Sequence, residues 1–100
     1  MKTKPITRRS LQIAARKLDV LARIWEREAK RDEKYFPVRE YGVSPYNADA
    51  RLARSVARQL RRGDLKAARR SLRRADTMPG EDICLRVGKH VSLALGYDIW

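Results

Sequence analysis

The strongest candidates for binding chemistry in this sequence are ten basic side chains between Arg51 and Ala75. Only one acid, Asp64, lies among them. Arginine and lysine donate charge-assisted hydrogen bonds to phosphates and carboxylates, and a one-sided basic surface attracts anions. Before Gly63 these residues recur at helical spacing, which predicts one stripe about 100° wide. The candidate binding residues for nucleic acid or another anionic partner are Arg51, Arg54, Arg58, Arg61, Arg62, Lys66, Arg69, Arg70, Arg73 and Arg74.

Two helices are needed to position this basic stretch. Apolar residues recur on the opposite side of each helix, at Leu52, Ala53, Val56, Ala57 and Leu60 and then at Leu65, Ala68, Leu72 and Ala75. Gly63 suits the end of the first helix because it takes a left-handed conformation without a side-chain clash. Asp64 suits the cap of the second helix, and Ser44-Pro45 suits the start of the first. The sequence therefore predicts a basic helical hairpin over residues 45–76.

The second half of this hairpin, GDLKAARRSLRRA, resembles the second helix of a tetratricopeptide repeat. Gly63 and Asp64 lie at the turn, and the packing positions are matched by Ala68, Leu72 and Ala75. The first helix departs from the pattern, since the usual Trp, Gly and Tyr are replaced by Leu52, Val56 and Gln59, and the closing Pro79 comes one place early. The resemblance implies a hairpin covered by flanking helices. The alternative is an ordinary alanine-rich hairpin in an arginine-rich protein.

The overall composition indicates one small basic domain spanning residues 1–100. The net charge is +12 and the sequence pI is about 10.7, which predicts affinity for nucleic acid, acidic membranes or acidic proteins. Hydrophobic residues make up 43% of the chain, enough for a modest core. Arginine outnumbers lysine, 17 to 7. That ratio suits phosphate recognition, but a GC-rich genome would also favour it.

Several classes of function are not expected. A single cysteine, Cys84, permits no internal disulfide, which fits a reducing cytoplasm. With His90 as the only histidine, the chain lacks the ligands of a zinc site. Gly88-Lys89 lacks the other residues of a phosphate-binding loop. We find no signal peptide and no apolar stretch of membrane-spanning length. We therefore expect a cytoplasmic protein that is not an enzyme, with no cofactor, metal, small-molecule substrate or membrane partner.

The region before the hairpin predicts a short basic arm over residues 1–6 and a long helix over 7–34, with Thr7 or Ser10 as its cap. The buried side of this helix is predicted to carry Leu11, Ala14, Ala15, Leu18, Leu21, Ala22, Trp25 and Ala29. A second apolar stripe is formed by Ile13, Val20 and Ile24. The helix would be about 42 Å long, so we expect it to overhang its partners. Its charged end, AKRDEK, would then project into water or pair with a second copy in a homodimer.

An aromatic linker over residues 35–44 separates the long helix from the hairpin, and Pro37, Gly42 and Pro45 favour an extended conformation there. The possible secondary contact residues are Tyr35, Phe36, Arg39, Tyr41 and Tyr46. These aromatic rings could stack on bases or form a protein hot spot. The alternative is that they seal the helix ends against the core.

The C-terminal region is ambiguous between two structures. Thr77-Met78-Pro79-Gly80 predicts a turn, and residues 80–96 then fit either a helix or a β-hairpin, of which we favour the helix. Tyr97, Ile99 and Trp100 would fold back onto the core or bind a partner.

The predicted fold is all-α, a small bundle of about four helices. The first functional hypothesis is a nucleic-acid-binding regulator or accessory protein that uses its basic hairpin on phosphates. The alternative is a protein-interaction module or small inhibitor that docks the same face on an acidic surface of a larger protein. A membrane-surface binder ranks third, because the basic helices carry no Trp or Phe on their apolar faces.

Overall fold

A computed structural model of the chain describes residues 6–75 and 77–98, and the regular structure in those ranges is entirely helical. The predicted all-α fold is confirmed. The helices are α1 Arg8–Tyr35, α2 Val38–Tyr41, α3 Pro45–Arg61, α4 Leu65–Arg74, α5 Thr77–Val87 and α6 Lys89–Ala94. The described part therefore has six helices where about four were expected. Most of the predicted N-terminal arm, together with Ile99 and Trp100, lies outside the described residues.

The long helix α1 is the element against which most of the chain packs. Its most extensive contact is with α3, and its other contacts are with α5 and α6. All eight of the residues predicted for its buried side are buried, including Trp25. The largest fully buried side chains of the core come from several helices, namely Leu18, Leu60, Leu72, Ile83, Leu95 and Val56. In contrast, the second stripe of Ile13, Val20 and Ile24 is left exposed.

Three predicted helix starts are confirmed by their capping hydrogen bonds. The Thr7 hydroxyl accepts a backbone N–H three residues later at 3.1 Å, and the Asp64 carboxylate does the same at 3.0 Å. The Ser44 hydroxyl accepts an N–H two residues later at 3.3 Å, with Pro45 in the first turn of α3. Gly63 follows α3 with φ of 72°, the left-handed conformation that a glycine adopts without strain. Local sequence thus determines where these helices begin.

The charged end of α1 is held against the start of α3. The Ser44 hydroxyl donates a hydrogen bond to the Asp32 carboxylate at 2.9 Å, and the Asn47 amide donates to Glu33 at 2.8 Å. Ala29 is buried beside them. The two acids of this end are therefore held by α3, whereas Lys30, Arg31 and Lys34 are exposed, and pairing with a second copy stays a prediction. The N-terminal part of α1, which extends past α3, contains buried residues such as Leu11, and α5 and α6 supply the remaining contacts of the helix.

Two segments differ from the elements that the sequence predicts. The linker, expected to be extended, contains the single helical turn α2, which begins directly after Pro37. The turn predicted at residues 77–80 is wrong, because those residues form the first turn of α5. Pro79 fits there since the N–H it lacks has no partner in the first turn of a helix. The C-terminal region is helical, but Gly88 with φ of 91° divides it into α5 and α6.

Candidate anion-binding site

Arg54 and Arg61 lie on the edge of α3 that faces α1, where acids are available. Arg61 donates to Asp19, and Arg54 donates to Glu26 and lies 3.8 Å from Asp19. The two partners on each helix are seven residues apart, which is about two helical turns, so they occupy one edge. The pairing Asp19–Arg61 and Glu26–Arg54 also shows that α1 and α3 run antiparallel. We call this set the ion-pair ladder.

The ion-pair ladder was not predicted from the sequence, because residues 51–75 were considered alone, where Asp64 is the one acid. Its acids come from positions 28 and 42 residues away along the chain. The matching seven-residue spacing of Asp19 and Glu26 with Arg54 and Arg61 was the available signal. Arg54 and Arg61 remain 44% exposed, but their charge is partly compensated by these carboxylates. They contribute to helix packing as well as to the surface potential.

The other basic residues of α3 point outward. Arg51, Arg58 and Arg62 fall within about 40° of one another around the helix axis, and all three are exposed. We call them the outer ridge. Arg58 makes a long hydrogen bond of 3.4 Å to the Ser55 hydroxyl. Lys66, in the first turn of α4, is also exposed. Within the described ranges, none of these four side chains is paired with a carboxylate.

The arginines of α4 divide between two sides. Arg69 is half-buried, and its side chain packs beside Gly96, just after the end of α6. A Cβ placed on Gly96 would lie 3.9 Å from the Arg69 Cδ. Its buried Nε has no hydrogen-bond partner in the described structure. Arg73 lies on the same side, near Tyr97. Burial raises the pKa of the Tyr97 phenol, and the positive charge of Arg73 opposes that rise.

Arg70 and Arg74 lie on the other side of α4 and line a groove between α3 and α4. One part of this groove has a volume of about 360 Å³. It is lined by Leu52, Ser55, Gln59, Ala67, Arg70, Ser71 and Arg74. It continues into a second part of about 280 Å³ that shares Leu52, Ser71 and Arg74 and reaches Ala48, Asp49, Ala75 and Pro79. The Ser71 hydroxyl donates to the Gln59 side-chain oxygen at 3.0 Å across it. We call this feature the hairpin groove.

The aromatic residues around α2 are mostly exposed. Tyr35 and Tyr41 are each 65% exposed and Phe36 is 53% exposed, while Tyr46 packs against the core. The rings of Phe36 and Tyr41 meet edge to face with centroids 5.3 Å apart. Arg39 is exposed beside them on α2. The alternative that aromatics seal the helix ends therefore applies to Tyr46 and not to the other three.

The single cysteine has an environment unlike that of a reactive thiol. Cys84 is fully buried in the core. Burial raises the pKa of its thiol, which a hydrogen bond to Ser92 partly offsets and the charge of Glu81 reinforces. A thiol with a raised pKa carries little thiolate, the form that attacks electrophiles and binds metals. Throughout residues 6–75 and 77–98, no group of three or more His, Cys, Asp and Glu is placed to hold a metal ion.

No helix in the described ranges has the length and apolar character needed to cross a membrane. Comparison of the chain with protein-family models, with curated proteins and with solved structures found no match.

Proposed function

We propose that this chain is a small nucleic-acid-binding protein, a regulator or accessory factor in the cytoplasm, whose α3–α4 hairpin binds phosphates. One observation carries the proposal. Of the ten basic residues on this hairpin, only Arg54 and Arg61 pair with carboxylates within the described residues. Six of the remaining eight are exposed on the outer ridge, at the start of α4 or beside the hairpin groove, namely Arg51, Arg58, Arg62, Lys66, Arg70 and Arg74. Such a surface is the electrostatic footprint of a protein that binds a polyanion.

The spacing of the outer ridge suits a phosphate backbone. Arg51 and Arg58 are seven residues apart, which corresponds to about 10 Å along the axis of α3. Phosphates follow one another at about 3.4 Å along the axis of one strand of a duplex, so the two arginines span about three phosphates. Because the chain carries a net charge of +12, a bound polyanion also relieves repulsion within the protein. We expect binding to raise the melting temperature.

The direct test is fluorescence anisotropy with labelled duplex DNA, single-stranded DNA and RNA of equal length, at about 50 and 200 mM salt. A protein that neutralises six to ten phosphates loses roughly 10³–10⁵ in affinity over that range, because bound counterions are released on association. A steep loss supports phosphate contacts. No binding to any of the three at the lower salt concentration would refute the proposal.

A matched pair of variants separates a binding surface from net charge alone. Arg58→Gln with Arg70→Gln removes two positive charges from the hairpin. Arg16→Gln with Arg27→Gln removes the same charge from the exposed side of α1. We expect the hairpin variant to lose at least tenfold more affinity than the α1 variant. Equal losses would mean that the interaction depends on overall charge and has no defined site.

A second candidate is favoured by the exposed aromatic residues around α2. Tyr and Arg are enriched in protein-interaction hot spots, and Tyr41 and Arg39 provide both in an exposed position. In this alternative the chain is an interaction module or small inhibitor, and its arginine face docks on an acidic surface of a larger protein. Such a partner would copurify after nuclease treatment, and Tyr41→Ala would release it. Copurification that disappears with nuclease would reject this alternative.

A further inference from the structure

The geometry points to the hairpin groove as the path of a single nucleic-acid strand, with the strand's bases turned toward the groove floor. This inference rests on the proposed function, since it names which form of nucleic acid the hairpin binds and where. It also assigns a role to uncharged residues of α3 and α4 that the basic pattern does not include. The observations are the charge of the groove walls, the polarity of its floor and its dimensions.

The α4 side of the hairpin groove is basic, and its α3 side is bordered by basic residues that lie just outside the lining. Arg70 and Arg74, one turn apart, belong to the α4 wall. On α3, the outer ridge lies next to Ser55 around the helix, since Arg62 and Ser55 are separated by about 20°. Positive charge along one side of a cleft and at the border of the other raises the potential within it, and therefore attracts an anionic chain. Among the described residues that line the groove, one is acidic, namely Asp49 at the end away from Gln59.

The remaining lining of the hairpin groove is largely uncharged and able to form hydrogen bonds. Ser55 and Gln59 lie one turn apart on α3, and Ser71 faces them from α4. The Gln59 oxygen accepts the bond from Ser71, so its amide nitrogen remains as a donor at the groove wall. Leu52 adds an apolar surface. Cations supply most of the affinity for phosphates, whereas base edges are read by hydrogen-bond donors and acceptors and base faces by stacking or apolar contact, which the uncharged residues here can add.

The dimensions favour a single strand over a duplex. The lining runs from Ala48 to Gln59 on α3, a separation of eleven positions or about 16 Å, which accommodates a few nucleotides. A helix with its side chains is about 10–12 Å across, and the major groove of B-DNA is about 12 Å wide. Two helices side by side therefore do not enter it together, and base edges of a duplex stay out of reach of the groove between them. The bases of a single strand are free to turn inward.

Filling the hairpin groove without changing its charge tests the inference. Ala67→Phe places a bulky ring at the groove, and Ala67 lines an open space, so the core is not overpacked. The backbone N–H of residue 67, which Asp64 caps, is retained. We expect Ala67→Phe to weaken single-stranded oligonucleotide binding at least tenfold while weak duplex binding to the outer ridge stays within twofold. Circular dichroism and the melting temperature check that the variant is folded.

A measurement on the unmodified protein covers the case in which the variant fails to fold. The chain has two glutamines, Gln59 in the groove and Gln12 on an exposed face of α1. In ¹⁵N-correlated NMR spectra, a single-stranded oligonucleotide should shift the side-chain amide signals of Gln59 and leave those of Gln12 unchanged. An acidic peptide of equal charge serves as the competing ligand. If that peptide binds more tightly and shifts Gln59 as well, the groove is a protein-docking site and the inference is wrong.

The possible failures are distinguishable. Absence of any nucleic-acid binding by the unmodified protein refutes the proposed function, and the inference with it. Binding that is unaffected by Ala67→Phe, together with an unshifted Gln59 signal, refutes the groove alone and leaves the outer ridge as the binding surface.

Discussion

Arg61 and Arg62 are neighbours in sequence, yet the structure predicts opposite consequences for their replacement. Arg61 belongs to the ion-pair ladder, and Arg62 belongs to the outer ridge. Arg61→Gln and Arg62→Gln remove the same charge from the same end of α3, so they share the loss of a favourable interaction with the helix dipole. The difference in stability between the two variants therefore measures the ion pair of Arg61. The difference in their binding measures the contribution of the Arg62 cation to the ligand.

The expected loss of stability for Arg61→Gln is small. Its side chain is 44% exposed and that of Asp19 is 22% exposed, so solvent screens the pair and its contribution is about 0.5 kcal/mol. For a domain of this size, about 1 kcal/mol shifts the melting temperature by roughly 4–8 °C. Arg61→Gln should therefore melt about 2–4 °C below Arg62→Gln. A double-mutant cycle with Asp19→Asn should give a coupling energy near that value for Arg61 and near zero for Arg62.

Binding should follow the opposite order. Arg62 has no carboxylate partner within the described residues, so its full charge is available to a phosphate. Losing one phosphate contact reduces the slope of log K against log salt by about 0.7 for a single strand and about 0.9 for a duplex. Arg62→Gln should show that reduction, and Arg61→Gln should show a smaller one. Anisotropy titrations at several salt concentrations measure both slopes.

The reasoning fails if the two variants behave alike. Equal melting temperatures, with no coupling between Asp19 and Arg61, would mean that the ion-pair ladder does not hold α1 against α3. Equal loss of salt slope would mean that Arg61 contacts the ligand as much as Arg62 does, and the division of the basic residues into two groups would be wrong. Repeating the unfolding at about 1 M salt, where exposed pairs are screened, should remove the difference in stability.

Three further predictions concern the fold. Leu60→Ala, at a fully buried position, should cost about 3–5 kcal/mol in chemical denaturation, and a cost below about 1 kcal/mol would place Leu60 outside the core. Gly88→Ala should destabilise the protein by about 1 kcal/mol, because φ at Gly88 is 91° and a side chain is strained there. Gly80 lies in the first half of α5 without a positive φ, so Gly80→Ala should be neutral or stabilising. Calorimetry compares the two variants. Cys84 should resist iodoacetamide in the native protein and react with it in urea. Because folding raises the pKa of the Cys84 thiol above its ordinary value of 9.0, the contribution of this thiol to stability should decline as the pH rises above about 9. Unfolding measured at several pH values checks this.

The parts of the fold that were predictable from sequence are those governed by local chemistry. Thr7, Ser44 and Asp64 each satisfy a free N–H within three residues, so the starts of α1, α3 and α4 can be read without knowing the tertiary structure. The apolar period of α1 identified its buried side. Exposed Ile13, by contrast, shows that an apolar stripe in the sequence is not always buried within the chain.

The features that were missed depend on distant residues or on context. A single turn such as α2 is too short to have a strong sequence signal, and it forms between Pro37 and Gly42. The ion-pair ladder requires the antiparallel register of α1 and α3, which no local window contains. The hairpin groove was also missed, because Ser55 and Gln59 matter there through position and not through charge. The proportion of basic residues indicated an anionic partner, but it could not separate cations paired within the fold from cations available to a ligand.

The arrangement of α4 has a mechanical consequence. This helix has only ten residues and packs chiefly on α3, whereas α3 itself is anchored along α1. A helix that short is marginal without its neighbours, and regions with few tertiary contacts open at a lower free energy than the global unfolding of the domain. We therefore expect the α4 side of the hairpin groove to open at a lower free energy than the α3 side. In the proposed mode of binding, a strand that contacts both helices would favour the closed form of the groove and order α4 as it binds.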